Sequence, residues 1–148
     1  MKTRNLAFVL LASLTLFLGS CKSEAEKKQE LIFTIKENLC SDVTSLVKTS
    51  INSLTLGIGG TLYETLVSKA QQKQMFCDPI TPLVVADLKE MDLVELEKIS
   101  QSKSEKNKFI LKTIVAHKDE VKKAYDTYQP ELKKYFDLLF EYAAKTAQ

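Results

Sequence analysis

The sequence predicts an all-α fold, a bundle of four or five helices joined by short loops, with a disulfide closing the first helical hairpin. Three observations predict it. Apolar residues recur at three- and four-residue steps from Ile32 to Ala143, the spacing of a helix face. Breakers are few and clustered: Gly57, Gly59 and Gly60 in one place, Pro79 and Pro82 in a second, Pro130 in a third. No stretch alternates apolar and polar residues long enough to make a strand.

The first helix is expected from about residue 31, with Ile32, Ile35, Leu39, Val43, Leu46 or Val47, and Ile51 on its buried face. The glycine cluster ends it. Thr61-Leu-Tyr-Glu64 has the pattern of a capping box, so a second helix is expected from Thr61, burying Leu62, Leu66, Val67 and Ala70. Asp78-Pro79 and Thr81-Pro82 should break it, with Thr81 capping a third helix that starts at Pro82. That helix carries Val84, Val85, Leu88, Met91, Leu96 and Ile99, and Asp92-Leu-Val-Glu95 suggests a second capping box and a kink. Residues 100–104 read as a turn. Ile110, Ile114, His117, Val121, Tyr125 and Tyr128 mark a fourth helix, and Pro130 either kinks it or starts a fifth, with Leu132, Phe136, Leu139, Phe140 and Ala143 buried.

Cys40 and Cys77 fit this frame. Residues 40–56 and 61–77 form two arms of 17 residues on either side of the glycine turn. In antiparallel helices both cysteines then stand about 26 Å from the turn, which is disulfide geometry. No C-x-x-C occurs, and His117 is the sole histidine. His117 and Glu120 share a helix face at i, i+3, and His117 is expected at the edge of the core with one nitrogen hydrogen-bonded.

The first residues have the three parts of a secretory leader. Lys2 and Arg4 form a positive n-region, Leu6–Leu18 an apolar run, and Gly19 and Ser20 a small-residue cleavage site. The apolar run is short of the ~20 residues that span a bilayer. Leu18-Gly19-Ser20-Cys21 resembles the lipobox of bacterial lipoproteins, a resemblance confined to residues 1–22. It implies a diacylglycerol on the Cys21 thiol, cleavage before Cys21, and acylation of the new amino terminus. Lys22, where an Asp would favour the inner membrane, points to the outer membrane. The domains expected are thus a leader at 1–20, a lipidated cysteine and charged tether at 21–30, and a helical domain at 31–148.

Without the leader, 128 residues remain, with 19 Lys against 19 Asp and Glu and no Arg. The absence of Arg argues against nucleic acid or phosphate recognition. Residues 22–30 carry six charges of both signs, which argues against binding of lipid head groups there. Between Asp78 and Glu97 acids dominate, and between Lys103 and Lys123 lysines dominate, so these stretches should complement each other across a hairpin or else leave a basic face for an acidic partner or polyanion. P-loops, nucleophile elbows, HExxH and dinucleotide fingerprints are absent, so neither an enzyme nor a cofactor or metal is expected.

Two functional expectations follow. The first is a non-catalytic, lipid-anchored envelope lipoprotein serving as a protein-interaction or structural module, with a partner in the envelope or on a host surface. Its candidate contact is the tip Leu56, Gly57, Ile58, Gly59 and Gly60, although such a tip more often tucks under another helix. The second is a carrier of a small apolar ligand, with a cavity lined by Phe109, Tyr125, Phe136 and Phe140. An exposed tip over a filled core favours the first; an enlarged cavity favours the second.

Overall fold

A computed structural model of the chain describes residues 22–148. The leader and the expected lipidation at Cys21 lie outside the described residues. Eight α-helices follow: α1 (Glu24–Leu54), α2 (Gly59–Leu66), α3 (Lys69–Gln72), α4 (Asp78–Glu90), α5 (Leu93–Gln101), α6 (Lys103–Ala116), α7 (Lys118–Tyr125) and α8 (Pro130–Thr146), with one π-helical turn at Lys73–Cys77 between α3 and α4. No strand occurs among the described residues. No helix among them is long and apolar enough to cross a membrane.

The long α1 is the axis of the bundle. Its buried stripe runs Ile35, Leu39, Val43, Leu46, Val47 and Ile51, and α2, the π turn, α4, α5, α6 and α8 all pack against it. From α8 come Phe136, Leu139, Phe140 and Ala143, and from α6 Ile110, Leu111 and Ile114. Each fully buried side chain of this size contributes about 1.5–3 kcal/mol. Phe136 is enclosed by aromatic rings, with Phe76 at 4.5 Å and Tyr125 at 5.4 Å between centroids.

Several boundaries differ from those the sequence suggests. The charged stretch 22–30 is already helical from Glu24, where α1 starts. Ser23 caps it: Ser23 Oγ accepts from Glu26 N–H at 3.2 Å, and Glu26 Oε2 accepts from Ser23 N–H at 2.8 Å. That second bond also holds the Glu26 carboxyl below its ordinary 4.5.

The second arm of the hairpin is not one helix. Val67 is extended (φ −117°, ψ 107°), and Ser68 opens α3 with a capping box to Gln71. The box expected at Thr61 and Glu64 does not form. Thr61 lies inside α2, and the first donors of α2 are met from α1 instead. Gly59 N–H donates to Thr55 Oγ1 at 3.0 Å, and Gly60 N–H donates to Asn52 Oδ1 at 3.0 Å. Glu64 reaches across to Lys48 Nζ at 2.7 Å. As far as Ala70 the buried residues of this arm are Gly60, Tyr63 and Val67, while Leu62, Leu66 and Ala70 face outward; Met75, Phe76 and Cys77 are buried farther along it.

Beyond Ser68 the chain stays helical through Pro79 and Pro82, where a break was expected. Neither proline donates an N–H, so the carbonyls of Met75 and Asp78 lose their regular partners. A wide turn at Lys73–Cys77 precedes Pro79, with Asp78 N–H donating five residues back to Lys73 O. The break comes at Met91, which is extended (ψ 154°), and Asp92 then caps α5 by accepting from Glu95 N–H at 2.8 Å. The expected turn at 100–104 shrinks to Ser102, which caps α6. The expected fourth helix divides at His117 (φ −104°, ψ 27°), and Pro130 starts α8.

Cys40, in the middle of α1, and Cys77, at the end of the π turn, are joined by a disulfide with Cα atoms 5.1 Å apart.

Candidate functional site

The turn between α1 and α2 is built from residues with little freedom. Leu56 (φ +54°) and Gly57 (φ +85°) are both left-handed and reverse the chain. Glycine adopts that conformation freely, whereas an L-residue there costs about 1–2 kcal/mol. Gly59 and Gly60 are required for a different reason. A Cβ at Gly59 would collide with Thr55 Oγ1, and one at Gly60 with Asn52 Oδ1, the two oxygens that cap α2.

The tip is not tucked under another helix. Leu56 is 94% exposed and Ile58 78%. Leu62 and Leu66 are each more than half exposed. Ile58, Leu62 and Leu66 lie at i, i+4 and i+8, so they form one stripe along the outer face of α2. The inner face of the same helix is fixed by Tyr63, whose ring meets Tyr135 at 4.9 Å and Phe76 at 6.4 Å, both edge to face. An amphipathic pattern thus exists here, but with two apolar faces. The sequence assigned Leu62 and Leu66 to the core face because it does not say which of the two is covered.

A second cluster surrounds the lone histidine. Asp87 of α4 accepts from Thr113 Oγ1 at 2.7 Å through one oxygen, and its other oxygen lies 3.0 Å from His117 Nε2. His117 Nδ1 lies 3.5 Å from Glu120. The cluster ties α4 to the corner between α6 and α7. Both imidazole nitrogens thus face carboxylates, Nε2 closely and Nδ1 more loosely. The hydrogen bond to Asp87, more than any other cause, raises the His117 pKa above its ordinary 6.5.

This makes a pH prediction. A raised folded pKa stabilises the fold fully below about 6.5, where the imidazole is charged in both states, and that contribution is lost as pH rises through the folded value. The urea midpoint should therefore fall across the neutral range, and His117→Gln should flatten the profile there. An unchanged slope in that variant would assign the pH dependence elsewhere.

The acidic and basic stretches complement each other only in part. Of the lysines between Lys103 and Lys123, Lys106 alone forms an ion pair among the described residues, and its partner is Asp42 of α1 at 2.5 Å. The link from α4 to the α6–α7 corner runs through His117 instead.

The aromatic residues considered for a ligand cavity do not gather around one. Phe136 and Phe140 are packed into the core. Phe109 lines an open surface hollow between α5 and α6, with Met91, Glu95 and Lys98. Among the described residues no three His, Cys, Asp or Glu side chains gather as a metal site. No protein-family model, curated protein or solved structure matches the chain.

Proposed function

We propose that this protein is a lipid-anchored lipoprotein of the bacterial cell envelope, non-catalytic, whose tip docks a partner protein. The observation that carries the reading is the exposed stripe Ile58, Leu62 and Leu66, with exposed Leu56 in the turn before it, on a helix whose other face is locked into the core. Scattered surface leucines need no explanation, but a contiguous apolar patch does. The left-handed Leu56 supports the same reading, since backbone strain at an exposed apolar residue brings the fold no packing in return.

The partner is a protein with an apolar groove that receives one helix face, anchored at i, i+4 and i+8. The membrane that holds the anchor is a poor fit for the tip. The 31 residues of α1 separate the tip from the start of the domain, about 46 Å at 1.5 Å per residue. The lipobox resemblance supports the anchor, and Lys22 supports the outer membrane.

Two measurements test this. Cys21→Ala should release or mislocalise the protein, and unchanged membrane fractionation would refute the anchor. A photo-crosslinking residue at position 62, used in intact cells, should give a discrete protein adduct. The adduct should disappear with Leu66→Ser and be absent when the crosslinker sits at position 122. Adducts to lipid alone, or equal adducts at both positions, would refute the docking tip. Protease digestion of intact cells then tells whether the partner is sought outside the cell or in the periplasm.

A further inference from the structure

At the opposite end of α1 lies an open groove of about 490 Å³ between α1 and α4. Its floor is apolar: Ile32 and Phe33 from α1, Val85 from α4. Its rim is cationic: Lys28 and Lys36 from α1, Lys89 from α4. No carboxylate lines it. The sequence of this stretch mixes both signs, but the helix sorts them. Lys28, Ile32 and Lys36 are spaced by four and fall on one face, while Val85 and Lys89 are one turn apart on the facing helix.

Glu26 and Glu30 lie beyond Phe33, in a second hollow that shares Gln29 and Phe33 with the first and begins at Lys22. Both acids are engaged there, Glu26 by Ser23 and Glu30 by Lys22. Among the described residues Lys28, Lys36 and Lys89 form no ion pair. Phe33 stands at the mouth, 62% exposed.

We propose that this groove docks the domain onto an anionic phospholipid surface. The apolar floor and Phe33 take acyl chain, and the three lysines meet phosphate. Long lysine stems can lie along apolar surface while the ammonium stays at the level of the head groups, and basic amphipathic faces bind membranes in this way. An acidic peptide or a soluble phosphate would satisfy the rim and leave the floor wet. The place in the chain points the same way. The 21 residues outside the described structure end at Cys21, next to Lys22 of the adjoining hollow. The proposal does not depend on acylation of Cys21.

The test uses residues 22–148, which carry the core of the described residues from Ile35 to Ala143 and the disulfide, and whose folding is checked before use. Flotation is measured with vesicles containing phosphatidylglycerol and with vesicles of phosphatidylcholine alone. Binding is expected to the first and not the second, and to weaken with salt. Each lysine at an anionic surface strengthens binding about fivefold, so Lys36→Glu with Lys89→Glu should weaken it at least about tenfold. Phe33→Ser should also weaken it, while Lys108→Glu with Lys122→Glu on the other basic stretch should not. Circular dichroism checks that each variant is folded.

Failure to float, equal flotation with both vesicles, or full binding by the groove variants would overturn the proposal. So would a crosslinker at position 33 that labels only protein in cells. Because this chain lacks Cys21, none of these results bears on the anchor, and fractionation of Cys21→Ala does not bear on the groove.

Discussion

Replacing Cys40 and Cys77 together by alanine is expected to lower the unfolding free energy by about 4 kcal/mol. The bridge joins positions 37 residues apart, and in the chain-entropy model closing a loop of that length restricts the unfolded chain by about this amount. Domains are typically stable by only about 5–15 kcal/mol, so the loss is large and the melting temperature should fall by roughly 10–15 °C. The effect should not be spread evenly. The loop that the bridge closes holds the weakest part of the fold: α2 buries only Gly60 and Tyr63, and α3 buries nothing. Amide exchange in α2 and α3 should therefore accelerate more than in α6 or α8. Unreduced wild-type protein should take up no maleimide at either cysteine, even in denaturant. Labelling at both would remove the premise.

Lys106→Met is expected to cost about 3 kcal/mol. Asp42 is 9% exposed, and its carboxylate lies 2.5 Å from Lys106 Nζ, itself largely buried. Removing the lysine leaves a charge in the core without its partner, and breaking such pairs typically costs about 3–5 kcal/mol. The pair is not thereby a large net source of stability, because both ions were desolvated to make it. Asp42→Leu combined with Lys106→Met should accordingly recover most of the loss. Chemical denaturation of the two variants separates the cases. A single variant as stable as wild type would mean that water reaches Asp42 and that the pair behaves as an exposed one.

The helical class and the disulfide were legible because each rests on a signal that tertiary context rarely overturns. The period of the apolar residues recurs over the whole body, so one misplaced turn does not change the class. The equal arms around Gly57–Gly60 pointed to the right cysteine pair even though the second arm contains an extended Val67 and a π turn. Caps were less legible, because a four-residue motif says what a side chain can do and not whether the donor is already taken. Thr61 and Glu64 fit a capping box, but Asn52 and Thr55 reach the donors first. Ser68 and Gln71 do form a box, inside a stretch whose periodicity looked unbroken. The prolines misled for a similar reason, since a missing N–H did not end the helix at either of them. The basic groove could not be seen in the order of the residues, because two of its members come from α4 and its acids are removed only by helical rotation.

The position of α1 has a consequence for biosynthesis. It is made first, yet α8, which covers much of its stripe, is made last. At roughly 5–20 residues per second, the ribosome takes about 4–15 s to add residues 55–129. Throughout that interval α1 waits without α8, and a chain halted before Pro130 lacks Phe136, Leu139, Phe140 and Ala143 of the core. A domain organised in this way is expected to rely on a holding chaperone while it is being made, and to yield insoluble fragments when truncated from its carboxyl end.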